Sequence, residues 1–219
     1  MLSTGNDIVS LNTINVTRTK QPNFYSKILT PTETALHQEP YFATIPFEVF
    51  VWLLWSIKES AFKFLQRIDP EIIFTPVKFE VTQLEIPASF KIQAFNIEKL
   101  TGISFDNIET IKSNISFGNY ILYSNSLIYQ EFISTVVNGA EDFSCTYWGV
   151  KQIESSKVVI QSTEVRAFLI NNLTDNQFTI GKNIRGIPVL LKDNMELSIP
   201  VSLSHHEYYI AYSFNYLFS

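Results

Sequence analysis

The chain of 219 residues has a single cysteine, Cys145, and no long hydrophobic run. One cysteine cannot form an internal disulfide, and the N-terminus lacks a basic segment followed by an apolar core and a cleavage site, so a reducing cytoplasm is the expected location. The most apolar window, residues 47–57, is interrupted by Glu48 and Ser56. It falls short of the roughly 20 residues of a membrane span. We therefore expect no membrane insertion.

Charge is also scarce, because only 17% of the residues are charged and the net charge is −5. This argues against broad nucleic-acid affinity, which requires clustered lysine and arginine. Residues 8–32 contain no aspartate or glutamate, whereas Arg18, Lys20 and Lys27 are basic. Such a local positive surface can steer an acidic protein partner. On composition alone, a solvated face with no partner is the commoner case.

The pattern of apolar residues predicts an α+β fold. Pro46 introduces a run to Arg67 that is free of glycine and proline, with buried-type residues at helical intervals, which predicts one long helix. Alternating or β-branched segments elsewhere predict strands, and no internal repeat is apparent. With 46% hydrophobic residues, the chain has the composition of a water-soluble protein with a sizeable core.

The long helix carries the sequence Trp-x-x-Lys-Glu-x-x-x-Lys, and its four-residue steps put Trp55, Glu59 and Lys63 on one face. A carboxylate can hold magnesium through oxygen, while an ammonium group neutralises phosphate oxygens, as transfer from a pyrophosphate requires. The same spacing is more often a solvent-facing salt bridge, which contributes only roughly 0.3 to 0.5 kcal/mol.

Asp7 stands at the head of a predicted strand, after Gly5 and Asn6. Its carboxylate can point toward a metal, although a turn or capping aspartate is the commoner case. Magnesium takes one or two protein carboxylates and leaves its other positions to water and phosphate. Asp7 and Glu59 together would therefore suffice.

A third motif combines hydroxyl groups with imidazoles near the C-terminus, where Ser202, Ser204, His205 and His206 precede a strand. Hydroxyls, backbone amides and an imidazole at a strand end can bind phosphate. No Gly-x-Ser-x-Gly elbow occurs, so a nucleophilic serine is disfavoured. We predict that His206 has a structural role.

These segments, in this order, resemble the 4'-phosphopantetheinyl transferase superfamily, and its short holo-acyl-carrier-protein synthase branch more than its duplicated branch. The resemblance covers about the first 80 and the last 40 residues, the length of one ordinary small domain. It is carried by residues 5–9, by 24–30 with Glu33, by 55–60 with Lys63, by 186–188 and by 201–205.

The resemblance implies an antiparallel sheet packed on a long helix, in a single domain spanning residues 1–219. Residues from about 81 to 181, which the short branch lacks, are expected to form an inserted β-rich subdomain. The implied reaction moves 4'-phosphopantetheine from coenzyme A to a serine of an apo acyl or peptidyl carrier protein and releases 3',5'-ADP. Fatty-acid or polyketide biosynthesis is the implied context, and a monomer or a homotrimer is the implied assembly.

The resemblance also implies residue roles. Asp7 and Glu59 would bind magnesium, with manganese as the alternative metal, and Glu59 and Lys63 would be catalytic. The remaining roles are coenzyme A binding by Lys58, Ser204 and His205, and docking of the acidic carrier by Arg18, Lys20 and Lys27.

Some family positions differ in this chain. Thr13, Leu54 and Ile187 stand where basic residues are usual, and Trp55 is a feature of the duplicated branch. These departures are compatible with a second interpretation, in which the protein is a non-catalytic relative that binds a carrier protein or coenzyme A. An unrelated β-rich interaction protein is a third interpretation. The joint presence of Asp7, Glu59 and Lys63 favours the enzyme, because a binding module needs no metal pair.

Overall fold

A computed structural model describes residues 3–42, 44–173 and 177–216. The chain is a mixed α and β fold with two antiparallel sheets and few helices, in agreement with the predicted class. No helix within the described ranges is long and apolar enough to cross a membrane.

The regular elements are as follows. The helices are α1 (Val16–Thr19), α2 (Pro22–Tyr25), α3 (Pro31–Leu36), α4 (Phe47–Gln66) and α5 (Val158–Ile170). The strands are β1 (Gly5–Ser10), β2 (Glu80–Glu85), β3 (Lys99–Ile103), β4 (Ile111–Phe117), β5 (Tyr120–Ile128), β6 (Phe132–Asn138), β7 (Thr146–Gln152), β8 (Phe178–Lys182), β9 (Pro188–Lys192), β10 (Met195–His206) and β11 (Tyr209–Asn215).

Helix α4 has 20 residues and occupies nearly all of the segment for which the sequence predicts a helix. It begins directly after Pro46, and no glycine or proline interrupts it. Its buried side includes Phe50, Leu53, Ile57 and Ala61, which pack in the largest core cluster of the described residues. The helix lies against β1 and β6, so the side chains it presents there are fixed relative to those strands.

The two sheets repeat one topology. The first has the strand order β1-β6-β5-β4-β2 and the second the order β3-β7-β11-β10-β9-β8. Without β3, the two orders match strand for strand when β1 is equated with β7 and β6 with β11. The crossing helices α4 and α5 follow equivalent strands. We therefore describe a first unit (β1, α4, β2, β4, β5, β6) and a second unit (β7, α5, β8–β11).

Equivalent strands support this repeat. Strands β6 and β11 both have seven residues, with isoleucine in the second position and asparagine in the last. These last residues meet, since Nδ2 of Asn215 lies 3.4 Å from Oδ1 of Asn138. The repeat is not apparent in the sequence, because the two units share their strand order but few identical residues.

The strands of the segment from about 81 to 181 are divided between the two sheets. Strands β4, β5 and β6 complete the first sheet, whereas β3, β7 and β8 belong to the second. The segment therefore contributes strands to both sheets, and one domain spanning residues 1–219 with an inserted subdomain stays a prediction. Strand β1 is an edge strand of the first sheet, and it packs against β10 and β11 of the second unit.

Candidate active site

Strand β1 lies directly on helix α4 because Gly5 has no side chain. A Cβ atom at Gly5 would come within 2.0 Å of the carbonyl oxygen of Ser60 and 2.7 Å of the amide nitrogen of Phe64. Side chains alternate along a strand, so Asp7, two residues further on, shares the helix-facing side of β1. The glycine of the first motif thus brings the aspartate to the helix that carries the second motif.

Asp7, Glu59 and Lys63 converge at this crossing. Nζ of Lys63 lies 3.0 Å from Oδ1 of Asp7 and 3.2 Å from Oε1 of Glu59, and it donates a third hydrogen bond to the carbonyl oxygen of Asn6 at 3.1 Å. The Asp7 side chain is 7% exposed, whereas those of Glu59 and Lys63 are about a quarter exposed. The pair on α4 is therefore not the solvent-facing salt bridge that spacing alone favoured.

The electrostatics of the cluster follow from this arrangement. Burial raises the pKa of Asp7 to about 6, with Lys63 offsetting part of the effect and Glu59 adding to it. For Lys63, burial lowers the pKa, but the attraction of Asp7 and Glu59 outweighs it, so the net pKa is raised. The ammonium group is thus kept charged. The carboxyl group of Asp7 resists full ionisation.

The donor set fits a magnesium ion. Among the described residues, no hydrogen-bond donor pairs with the buried Oδ2 of Asp7, although the nearby Ser56 hydroxyl offsets part of the rise in the pKa of Asp7. A buried carboxylate oxygen without a donor is costly unless a cation or a proton meets it. No group of three or more histidine, cysteine or acidic side chains that could hold a metal occurs in the described ranges. Two carboxylates suffice for magnesium that takes its other ligands from water and substrate phosphate.

The second unit contributes a row of polar side chains on one face of β10. Oγ of Ser202 accepts a hydrogen bond from the backbone amide of Asn6 at 3.0 Å, and Oγ of Ser204 accepts one from Nδ2 of Asn6 at 2.8 Å. Nδ1 of His206 accepts the backbone N–H of Ser10 at 3.1 Å. The row therefore covers the free edge of β1. Ser204 lies next to the strand that carries Asp7.

The two histidines lie on opposite faces of β10. His206 lies on the β1 side, where its bond to Ser10 suits the structural role predicted for it, and burial lowers its pKa, with Glu207 and Glu59 partly opposing this. His205 points to the other face and is exposed. Its pKa is lowered by partial desolvation and by the cations Lys63 and Arg166, so it still lies within their electrostatic range. The two-residue spacing of Ser202, Ser204 and His206 is the signal that could have identified His206.

Lys58 does not belong to this site, contrary to its predicted role in coenzyme A binding. Its side chain is fully buried, and Nζ lies 2.6 Å from Oε2 of Glu33 and 2.6 Å from the carbonyl oxygen of Ile28. Successive residues of a helix are about 100° apart around the axis, so Lys58 and its neighbour Glu59 leave α4 in different directions.

The three basic residues predicted to dock a carrier lie on the surface near the N-terminal half of α4. Arg18, Lys20 and Lys27 are all exposed. The guanidinium carbon of Arg18 lies 5.1 Å from the ring centre of Phe24, and Lys20 pairs with Glu48 of α4 at 3.0 Å. Arg18 and Lys20 thus lie beside the N-terminal part of α4, and Lys27 precedes Ile28, whose carbonyl oxygen accepts a hydrogen bond from Lys58 of the same helix.

One basic residue not predicted for the site reaches the unit interface. The guanidinium of Arg67, at the end of α4, donates to the carbonyl oxygen of Pro188 at 3.0 Å. Burial lowers its pKa to about 10, and Glu196 partly opposes this. Arg67 therefore brings a positive charge to the segment 186–188, where Ile187 replaces the expected basic residue. At the other two departures, Leu54 is fully buried and Thr13 is exposed.

The equivalent place in the second unit is closed. Asp7 pairs with Thr135, the fourth residue of β6, and Gly149 pairs with Tyr212, the fourth residue of β11. Gly149 thus occupies the position of Asp7, and a Cβ atom there would come within 2.6 Å of the Tyr212 ring. Strand β3 pairs with the edge of β7 that corresponds to the free edge of β1. The carboxylate and the open edge are both missing there.

Several cavities lie away from this cluster. One of about 650 Å³ is lined by residues of β4, β5 and the loops around Phe105 and Phe143. Two of its polar side chains are bonded to each other, Thr110 to Asn125 at 2.8 Å. Cavity volume alone does not indicate an active site. A buried carboxylate with a shifted pKa beside charged groups, as at Asp7, is the better indicator.

Comparison with known proteins agrees with the first unit's motifs. Residues 3–93 match the family model described as the 4'-phosphopantetheinyl transferase superfamily. The match includes Asp7, the basic residues, Glu59 and Lys63, and it ends before the second unit. No curated protein and no solved structure gives a significant match. Residues 3–93 are therefore similar to the 4'-phosphopantetheinyl transferase superfamily.

Proposed function

We propose that the protein transfers 4'-phosphopantetheine from coenzyme A to a serine hydroxyl of an acyl or peptidyl carrier protein. One observation carries the proposal: a single ammonium group, that of Lys63, bonds both Asp7 and Glu59. Because one ammonium group bridges the two carboxylates, both lie at the same crossing, and a turn of the partly exposed Glu59 side chain toward Asp7 would let them share one magnesium ion, which binds oxygen at about 2.0 to 2.1 Å.

The chemistry follows from these three side chains. Asp7 and Glu59 would hold magnesium, which offsets the charge of the pyrophosphate when bound. Glu59, or a water that it orients, takes the proton from the acceptor serine. The serine oxygen forms a bond to the β-phosphorus, and the bond from that phosphorus to the oxygen of the leaving 3',5'-ADP breaks. Lys63 stabilises the negative charge that the leaving phosphate gains.

The second unit completes the binding site for coenzyme A. Ser204 lies beside the strand of Asp7, and its hydroxyl can still donate its proton to a phosphate. Arg67 and Arg166, the latter within electrostatic range of His205, would add cations to this site, and the neutral imidazole of His205 would hydrogen-bond a phosphate oxygen. These groups supply the positive charge that is missing at Thr13, Leu54 and Ile187.

The carrier protein would dock on the exposed residues Arg18, Lys20 and Lys27, which complement an acidic surface. Because the second unit supplies the wall of the site within the same chain, we propose that a monomer is active. Action in the cytoplasm, in fatty-acid or polyketide biosynthesis, is part of the same proposal.

A non-catalytic relative that binds coenzyme A or a carrier is the second candidate. It is favoured by the loss of basic residues at Thr13, Leu54 and Ile187. The buried Oδ2 of Asp7, which has no hydrogen-bond donor among the described residues, argues against this candidate. A metal ion would compensate the cost of its desolvation, whereas a binding module without a metal would not.

Intact-mass spectrometry distinguishes the two candidates. An apo acyl carrier protein incubated with the protein, coenzyme A and magnesium should gain about 340 Da, the mass of one phosphopantetheine group. EDTA and the nearly isosteric variant Glu59→Gln are the matched controls, and both should suppress the gain. No gain on several carrier types, with the protein folded, would favour the non-catalytic relative.

A further inference from the structure

Lys58 is a charged side chain with no exposed surface, and both of its hydrogen-bond partners precede α4 in the chain. Nζ of Lys58 bonds Oε2 of Glu33 and the carbonyl oxygen of Ile28, each at 2.6 Å. A buried ion pair of this kind is weak evidence for stability, because desolvation offsets much of the attraction. Its directional bonds instead fix the groups that it joins.

Glu33 extends this connection to two further elements. Its Oε2 accepts the backbone N–H of Thr30, and Thr30 accepts the N–H of Glu33 in return, which forms the capping box of α3. Its Oε1 accepts the backbone N–H of Val81 in β2 at 2.8 Å. The carboxylate of Glu33 therefore ties α3, β2 and α4 together through bonds of similar length.

The other end of the connection is the basic segment, which we define as residues 15–30. Lys27, one of its exposed cations, directly precedes Ile28, whose carbonyl accepts the Lys58 bond. The segment also contacts α4 at its other end, where Nε1 of Trp52 donates to Oγ1 of Thr19 at 3.1 Å. Lys58 thus fixes the C-terminal end of the basic segment and Trp52 its N-terminal half.

Lys58 and Glu59 are adjacent on a rigid helix, one bound to the basic segment and the other facing Lys63 and Asp7. We infer that Lys58 is a positioning residue that, paired with Glu33, fixes the basic segment relative to Glu59 and so determines where a docked acidic carrier protein presents its serine. The inference rests on the proposed function for the identity of the carrier. The connection itself rests on the contacts.

The test uses Lys58→Met, which keeps the length of the side chain and removes its three donors. We expect KM for the carrier protein to rise roughly tenfold or more, since a misplacement of about 1 Å can reduce catalysis up to about a hundredfold. KM for coenzyme A should change less than about twofold, because Asp7, Lys63 and Ser204 are untouched. The matched control is Lys151→Met, which breaks the ion pair with Glu164 in the second unit.

Hydrogen exchange keeps the test independent of activity. In Lys58→Met, amides of residues 22–30 should exchange faster than in the original protein, with β1 and β6 unchanged. Glu33→Gln is the milder variant if Lys58→Met does not fold, with the same expectation. Unchanged exchange in this segment, or equal changes in KM for both substrates, would overturn the inference. Failure of the unmodified protein to transfer at all would instead refute the proposed function.

Discussion

Replacement of Asp7 by asparagine should make the protein more stable at neutral pH while it removes one of the two proposed metal ligands. The pKa of Asp7 is raised from 3.8 to about 6, chiefly because burial disfavours the ionised form, and the pairing with Lys63 compensates only in part. Asparagine has nearly the same shape and no charge to desolvate. The variant therefore separates the cost of the buried charge from the packing of β1 on α4.

The sign and size follow from linkage. A carboxyl group with a raised pKa in the folded state holds its proton longer there than in the unfolded chain, so ionisation costs stability. The cost is absent below about pH 4, grows up to about pH 6 and is complete above that. A shift from 3.8 to about 6 corresponds to about 3 kcal/mol. For a chain of this length the melting temperature should rise by roughly 6 to 12 °C.

Denaturant unfolding of both proteins in EDTA, from about pH 4 to about pH 8, measures this difference. The two curves should coincide at low pH, and Asp7→Asn should be the more stable above pH 6. Magnesium should then stabilise the original protein, by about 2.7 kcal/mol at a hundred times its dissociation constant, and leave the variant unaffected. A variant that is less stable at pH 8 in EDTA would refute the reasoning, because Lys63 would then more than offset the burial.

Three further predictions follow from the site. Glu59→Gln should fold normally and lose transfer by at least about a hundredfold, as the loss of a proton acceptor predicts, and comparable initial rates would contradict the assignment. His206→Ala should lower the free energy of unfolding by about 1 to 3 kcal/mol, because the buried Ser10 amide loses its acceptor. His205→Ala should change it by less than about 0.5 kcal/mol. Equal effects of the two variants would show that the two faces of β10 are misassigned. Light scattering should give the monomer mass of 25.2 kDa, and three times that value would indicate a trimer.

The sequence predicted those parts of the site that lie on one regular element. Trp55, Glu59 and Lys63 share a helix, so their common face follows from helical spacing. Asp7 was predicted from its motif, but its approach to Glu59 depends on Gly5 at the crossing of β1 and α4. Helical spacing also could not show that Lys58, between two site residues, turns into the interior. Its partner Glu33 lies 25 positions away in the chain.

The doubled fold was harder to predict because a repeat of strands leaves only a weak trace in sequence. Each strand needs apolar residues at alternate positions, and many residues satisfy that need. In β6 and β11 the identical positions are few, although the pairing of both strands with their neighbours is the same. The inserted subdomain, which stays a prediction, was inferred from the chain length beyond the matched motifs, and chain length does not indicate to which sheet a strand belongs.

The two units contribute different groups to the proposed site, which predicts how many ligands a chain should bind. The first unit retains Asp7 and the open edge of β1, whereas Gly149 and strand β3 remove both features from the second. The second unit retains the serines and histidines of β10. Calorimetric titration of the protein with coenzyme A and magnesium should therefore give one site per chain, and this site should disappear in Asp7→Asn. Two sites of similar affinity would show that the closed position in the second unit also binds ligand.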